Sequence, residues 1–315
     1  MNILITGGAG FIGSNLTHRL FKNNKISVID NLSTGNYNNI KELVENNKIK
    51  FYKMDITNKK IVDFIKNNNF DLIYNFACPA SPKYYLKHPI ETWEASVLGV
   101  KNLLDAIINS KTKLFHSSTS EIYGDAKIYP QSENYNGNVN PIGVRACYDE
   151  GKRAAEALIY DYIRMYNVDV RVARIFNTYG IKMKHNDGRI ISNFICAALN
   201  DKDINIYGHG NQTRSFCYVD DTINAIIKLM NLQEKINTPV NIGNPIEKSV
   251  KEIAYMIKEK VGSNSKIVFI EAMKDDPQFR KPNIELAKEL LKWEPVVSLE
   301  TGINKCIEYF KRENK

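Results

Sequence analysis

Two side chains in the 315-residue sequence are spaced to work as an acid–base pair. Tyr148 and Lys152 stand four apart, which on a helix puts both on one side, one turn apart. A tyrosine titrates near 10 in water, so acting as a base at neutral pH requires a depression of about 3 units, roughly 4 kcal/mol. A lysine ammonium, and the positive ring of an oxidised nicotinamide, are charges of the sign that lowers it. The same spacing is common on ordinary helix surfaces, and its weight here comes from what precedes it. In Thr6-Gly7-Gly8-Ala9-Gly10-Phe11-Ile12-Gly13, glycines 7, 10 and 13 satisfy GxxGxxG and glycines 8, 10 and 13 satisfy GxGxxG. Glycine lets a backbone turn tightly and approach a pyrophosphate, and a helix N-terminus just beyond offers N–H donors and a positive dipole end. Asp30 lies 17 residues after Gly13. A carboxylate there accepts hydrogen bonds from a ribose 2′-hydroxyl and repels a 2′-phosphate, which favours NAD over NADP. No GxxxxGK[ST] occurs, which disfavours P-loop phosphoryl transfer.

The elements that must position these residues follow from the alternation of apolar runs and amphipathic stretches. Strands are expected at Asn2–Thr6, Ile26–Asp30, Ile49–Met54, Leu72–Ala77, Lys113–Ser118 and Val168–Ile175. Helices are expected at Gly13–Asn23, Lys59–Asn67, Thr92–Ser110 and Cys147–Tyr166. Strand–helix alternation with β-branched strands implies an α/β fold, a Rossmann-type doubly wound parallel sheet covered on both faces. After Phe176 the pattern loosens, with helices near Arg189–Asn200, Asp220–Leu232 and Val250–Val261. This suggests a dinucleotide-binding domain over 1–176 and a smaller, interwoven C-terminal α/β substrate domain over 177–315, some of whose segments return to the first. In an open parallel sheet ligands lie beyond the carboxyl ends of the strands. That puts Thr119, Ser120 and Glu121, which follow the Lys113–Ser118 strand, where substrate should be.

Composition narrows the partners. Hydrophobic residues make up 43% and charged residues 25%, ordinary for a globular protein of about two domains. The formal charge of +8 invites a nucleic-acid reading, but the basic residues form no stripe and are not interleaved with aromatics. No apolar run approaches the roughly 18 residues of a membrane span, and no signal-peptide core precedes the glycine loop. The five cysteines are scattered and form no CxxC, so neither a metal nor a disulfide framework is expected, and a reducing, cytoplasmic setting is the simplest reading. The five histidines show no ligand spacing. Trp93 and Trp293 read as core anchors and Cys147 as packing.

Several longer strings carry a resemblance. TGGAGFIG (6–13), ACPAS (77–81), STSEIYGD (118–125), NPIGVRACYDEGKRAAE (140–156), ARIFNTYG (173–180), YGHGNQTRSFCYVDD (207–221) and RKPNIELAKELLKWEP (280–295) span nearly the whole chain. It resembles the extended short-chain dehydrogenases/reductases that act on nucleotide sugars and, through ACPAS and CYDEGKR, the UDP-glucuronate decarboxylases. The resemblance implies a redox cycle with retained NAD. Tyr148, assisted by Lys152 and Thr119, takes the proton of the sugar 4-hydroxyl as C4 gives up hydride. The 4-keto sugar is a β-keto acid and loses its C5 carboxylate, and hydride returns to C4 to leave UDP-xylose. Ser120, Glu121 and Arg280 match further catalytic positions. The cofactor positions implied are Gly7, Gly10, Phe11, Ile12, Gly13, Asp30, Asn31, Asp55, Ile56 and Ala77, with Tyr148 and Lys152. The substrate positions implied are Pro79, Ser81, Tyr85, Glu121, Arg145, Asn177, Arg189, Asn193, Tyr207, Gln212, Arg214 and Arg280.

Neighbouring activities are separated locally. The family's 4,6-dehydratases carry Asp-Glu where this chain has Ser120-Glu121, and its 4-epimerases usually lack the glutamate, so Glu121 favours decarboxylation. A catalytically silent sensor of nucleotide sugars or NAD would have no need of the Tyr148–Lys152 pair. The chain departs from the family pattern at Lys83-Tyr84, His88 and Ile181-Lys182. In the resembling family the helix bearing Tyr148 and Lys152 packs against its copy, which implies a homodimer through Ala155, Leu158, Ile159 and Tyr162.

Overall fold

The structure, a computed structural model, describes residues 1–185, 187–271 and 280–313. The apolar runs form β1 (Asn2–Thr6), β2 (Lys25–Asp30), β3 (Lys50–Lys53), β4 (Leu72–Asn75), β5 (Lys113–Thr119) and β6 (Asp169–Ile175). With Val240–Ile242 they make one seven-stranded sheet in the order Val240–Ile242, β6, β5, β4, β1, β2, β3. β1 pairs in parallel with β2 and β4, β2 with β3, and β4 with β5. Ile3, Leu4 and Ile5 are wholly buried, as a sheet covered on both faces requires. Chain order reverses at β1, and it is outside the carboxyl ends of the strands at such a point that a ligand crevice forms. Thr6 and Asn75 face each other across it, and the Thr6 hydroxyl donates to Asn75 Oδ1 at 2.8 Å. The same oxygen accepts the Ala77 amide at 3.1 Å, so β4 stops at Asn75 rather than Ala77 because an Asx turn competes with the ladder.

One face of the sheet is covered by the helices Lys60–Asn68, Val100–Ile107 and Ala146–Tyr166, whose Ile61, Ile65, Leu103, Leu104, Ala155 and Ile159 share a core with Leu4, Ile73, Leu114 and Val170. The long helix ends where Asn167 takes a left-handed conformation, φ 52°. Ala155, Leu158, Ile159 and Tyr162, expected at a subunit interface, lie in or against this core. The sheet's apolar face claims them. Trp93, expected in the core, is 43% exposed, whereas Trp293 is buried with its indole N–H donating to the Asp221 carbonyl at 3.1 Å.

The single helix expected over 92–110 is three pieces: Pro89–Glu94, a π-helical turn Ala95–Gly99, and Val100–Ile107. Close packing on both sides goes with the wider turn. A Cβ on Gly99 would stand 2.3 Å from Ile56 Cδ1, and a Cβ on Gly151 would stand 3.1 Å from Ser96 Cβ. π-turns inside helices are frequent at functional sites.

The chain divides into two compact units, one of 1–122, 140–174 and 226–240, the other of 123–139, 175–225 and 241–315. The second contains three two-stranded pairs: Thr178–Tyr179 with Cys217–Tyr218, Thr213–Ser215 with Glu247–Ser249, and Ile204–Tyr207 with Ile267–Ile270. Its helix Val250–Val261 opens on a Ser249–Glu252 capping box and closes on Gly262 at φ 72°. Among the described residues no helix is long and apolar enough to cross a membrane, and no cluster of His, Cys, Asp or Glu could hold a metal ion.

Candidate active site

In the first unit the glycine loop joins β1 to the helix Phe11–Leu20. Gly7 has φ +70°, and its amide donates to the Ile29 carbonyl at 2.8 Å. A Cβ on Gly13 would lie 2.3 Å from the Gly7 carbonyl oxygen, so this glycine closes the loop onto the helix. A Cβ on Gly10 would meet only that oxygen, at 3.1 Å, and the side of Gly10 away from the loop is open. Gly10 caps the helix with no side-chain bond, and the first turn, which includes Phe11 and Ile12, carries no acid. An uncapped, acid-free N-terminus beside an open glycine fits a pyrophosphate.

Asp30, at the end of β2, is buried, and its carboxylate accepts the amides of Ala9 at 3.0 Å and Leu32 at 2.8 Å. Beside it Asn31 donates to Asp55 Oδ2 at 2.7 Å, and Asp55 Oδ1 accepts the Thr57 amide and hydroxyl, both at 2.8 Å. Burial pushes the Asp55 carboxyl upward, but the Thr57 amide and the Asn31 and Thr57 side chains outweigh it and hold the group below its usual range. Ile56 is buried against Gly99. Asp30, Asn31, Asp55 and Ala77 thus gather around β1, on the strand ends where the sheet reverses.

The catalytic candidates lie beyond β4, at the end of β5 and on the long helix. Thr119 ends β5, and its hydroxyl accepts the Glu121 amide at 3.2 Å, fixing the turn Ser120–Tyr123. Thr119 and Ser120 are buried. Tyr148 and Lys152 share one side of the long helix, with Lys152 Nζ 5.9 Å from the Tyr148 ring centre. The ammonium donates to the Ser117 carbonyl at 2.7 Å. The Tyr148 ring lies on that of Tyr85, centroids 5.1 Å apart and planes within 4°, so Tyr85, expected at the substrate, stands against the candidate base. Ser81 precedes the short helix Pro82–Tyr85 that presents it. Pro79 is buried just upstream. Arg145 donates to Glu121 Oε2 at 2.5 Å and lies 3.7 Å from Asp149, so its guanidinium bridges two carboxylates flanking the Tyr148 turn. Cys147 donates to the Tyr85 carbonyl at 3.6 Å, and burial pushes its thiol up, in keeping with packing.

The remaining substrate candidates belong to the second unit. Arg280 is buried and donates to Asn177 Oδ1 at 3.3 Å. Arg214, also buried, donates to the Thr213 carbonyl at 2.8 Å, and Gln212 donates to the Tyr207 carbonyl at 2.7 Å. Arg189 pairs with Asp187 at 2.9 Å, and Asn193 accepts the Gly188 amide at 3.2 Å. Within this unit Arg280 with Asn177, Gln212 with Tyr207, and Arg189 with Asn193 are brought close.

Sequence reasoning missed two buried clusters. Asn75 links Thr6 to His116, with Nδ2 3.3 Å from His116 Nδ1. Because Asn75 Oδ1 already accepts from Thr6 and Ala77, Nδ2 is the donor, and His116 carries its proton on Nε2. The second cluster joins Ser118, Glu156 and Arg174. The signal for it was available, since Glu156 follows Tyr148 and Lys152 at the same four-residue interval.

A family model described as GDP-mannose 4,6 dehydratase matches residues 4–306. UDP-glucuronic acid decarboxylase 1 of Xenopus tropicalis is 47% identical over 312 residues, 99% of this chain and 72% of that protein. Among solved structures, UDP-glucose 4-epimerase of Thermotoga maritima with UDP-glucose superposes with a TM-score of 0.92 at 28% identity, covering 100% of both chains. UDP-glucuronic acid 4-epimerase of Bacillus cereus, in complex with UDP-glucuronic acid and NAD, gives 0.89 at 28% identity over 99% of this chain and 100% of that one. With the glycine loop, the Tyr148–Lys152 pair and the lone Glu121 in place, the chain belongs to the UDP-glucuronic acid decarboxylases of the extended short-chain dehydrogenase/reductase family.

Proposed function

We propose that this protein decarboxylates UDP-glucuronate to UDP-xylose. The observation that carries the reading is the combination, in one unit, of a Tyr148–Lys152 pair with a single turn carboxylate, Glu121, preceded by Ser120 rather than a second acid. The glycine loop, Asp30, Asn31 and Asp55 would hold NAD, which when bound would supply the hydride acceptor and donor for C4.

The chain's own residues do the rest. Tyr148 takes the proton of the 4-hydroxyl. Lys152, whose ammonium lies 5.9 Å from the Tyr148 ring centre, is a charge of the sign that favours the phenolate. The Ser117 carbonyl aims the ammonium, and Tyr85 holds the phenol ring flat. Thr119 offers a hydroxyl at the strand end. Once C4 is a ketone, the electrons of the C5–carboxylate bond pass into the C4 carbonyl, and CO₂ leaves without a metal. Protonation at C5 then precedes restoration of the 4-hydroxyl, for which Tyr148 gives its proton back. Glu121, with Arg145, and Arg280, with Asn177, complete the catalytic set. Arg189, Asn193, Tyr207, Gln212 and Arg214 hold the nucleotide.

The protein pairs as a homodimer through the apolar surface of 86–98, where Leu86, Ile90, Trp93 and Leu98 are 47%, 67%, 43% and 45% exposed. A monomeric mass by light scattering at micromolar concentration would refute the pairing. The activity is tested by incubating the protein with NAD and UDP-glucuronate and weighing the nucleotide sugars by mass spectrometry. A UDP-pentose supports the assignment, and unchanged substrate overturns it. Tyr148→Phe should abolish turnover while still binding UDP, and full activity in that variant would remove Tyr148 from its role.

A further inference from the structure

The long helix carries a third residue at the interval of the first two. Glu156 lies four residues beyond Lys152 and eight beyond Tyr148, so the three run along neighbouring turns of one side. Glu156 is buried, and both its oxygens are engaged. Ser118 Oγ donates to Oε1 at 2.5 Å. Arg174 donates Nε to Oε1 at 3.1 Å and to Oε2 at 3.3 Å, and Nη2 to Oε2 at 2.8 Å. Three elements therefore meet at one carboxylate: β5 through Ser118, β6 through Arg174, and the catalytic helix through Glu156.

A buried ion pair is a poor device for stability, because apolar side chains of similar volume often hold a fold as well or better. What a planar guanidinium–carboxylate fork does supply is direction. Consecutive residues of β5 are fastened to consecutive turns of the helix: the Ser117 carbonyl to Lys152 and the Ser118 hydroxyl to Glu156. The next residue on the strand is Thr119. A helix that slid or rolled on the strand would have to break both fastenings at once.

We infer that Glu156, held by Arg174, is a positioning residue for the reaction: it touches neither substrate nor cofactor, and it sets the register of Tyr148 and Lys152 against the strand end bearing Thr119, Ser120 and Glu121. The inference rests on the decarboxylase reading above for the identity of the reaction, but not for the existence of the clamp.

The test is kinetic, on the full-length protein with NAD and UDP-glucuronate. Glu156→Gln keeps the shape and turns an acceptor facing Arg174 into a donor. Its kcat should fall at least tenfold, while KM for the sugar nucleotide and binding of UDP stay within about twofold. A kcat at the parent's level overturns the inference. The double variant Glu156→Met/Arg174→Met separates register from stability. It should melt near the parent and yet remain at least tenfold slow, and a kcat restored together with the melting temperature would overturn the proposal by showing that only stability mattered. Ser118→Ala, which leaves the ion pair whole, should give a smaller loss of kcat at unchanged KM, and no loss would refute the Ser118 fastening. Formation of NADH is followed at its absorbance band in parallel. A parent that forms NADH but no UDP-pentose fails the decarboxylase reading, and the same variants then test the clamp through the rate of NADH formation.

Discussion

The two glycines of the nucleotide loop make opposite demands on a methyl group, and a pair of alanine variants should separate them. At Gly13 an added Cβ would stand 2.3 Å from the Gly7 carbonyl oxygen, 2.9 Å from Gly8 Cα and 3.0 Å from the Gly7 carbonyl carbon. All three are backbone atoms, so the loop must open by most of an ångström. Overpacking of this kind costs about 1–3 kcal/mol, and a value near the top is expected because no side chain can swing away. The gain in helix propensity, about 1 kcal/mol, offsets part of it and leaves about 2 kcal/mol of destabilisation without any ligand. At Gly10 the backbone is extended, φ −75° and ψ 178°, and the Cβ meets one atom at 3.1 Å. The ligand-free protein should therefore change by no more than about 0.5 kcal/mol, because relief of unfolded-chain entropy balances the tight contact. The open side of Gly10 is, however, where a pyrophosphate must come close. The assay is urea unfolding followed by circular dichroism, first on protein stripped of nucleotide and then with NAD at one hundred times the parent's Kd. The parent should gain about 2.7 kcal/mol from the ligand. Gly13→Ala should be unstable in both conditions. Gly10→Ala should match the parent when stripped and gain little from NAD. The reasoning is refuted if stripped Gly13→Ala is as stable as the parent, or if Gly10→Ala gains the full ligand increment.

Three further outcomes follow from single contacts. Arg145→Met removes the guanidinium that bridges Glu121 and Asp149 and should cost about 3 kcal/mol in urea unfolding, with Arg145→Met/Glu121→Gln recovering part of it. Burial first, and then Lys152, hold His116 well below its usual range. The unfolded chain thus binds a proton below about pH 6.5 that the folded chain refuses, and stability falls with acidification by up to about 1.4 kcal/mol per pH unit. His116→Gln should flatten that acid limb, and an unchanged slope would show that His116 does not set it. Asp221→Ala removes the acceptor of the Val296 and Val297 amides, at 3.1 and 2.9 Å, and should lower stability by about 2 kcal/mol without changing KM.

The strands β1, β2 and β6 were legible because each is a short run rich in β-branched residues with its interior buried, and the glycine loop because its residue types follow from geometry alone. What the sequence concealed depended on neighbours far along the chain. Nothing local distinguishes a helix over 92–110 from the broken one observed, since the π-turn goes with the fit of Gly99 against Ile56 and of Gly151 against Ser96. Nothing local marks His116 as a buried neutral base, because its partner Asn75 is 41 residues away. Of the candidate site, the Tyr148–Lys152 pair could be placed from spacing. The engagement of Arg145 with Glu121, across 24 residues, could not.

The long helix shows where more could have been read. Amphipathy says which stripe of a helix is buried, not what buries it, and a stripe that covers a sheet looks the same as one that meets a second subunit. The catalytic pair breaks the tie. At about 100° per residue, Ala155 and Ile159 fall within about 20° of Tyr148 around the helix and Tyr162 within about 40°. If Tyr148 must point toward the strand ends that carry Thr119 and Glu121, the apolar stripe on its own side must point toward the same sheet. The core containing Ala155, Ile159 and Tyr162 is therefore a consequence of the catalytic assignment. It also follows that any subunit contact must use residues off that stripe. Leu86, Ile90, Trp93 and Leu98, large apolar side chains left exposed on other elements, meet that condition.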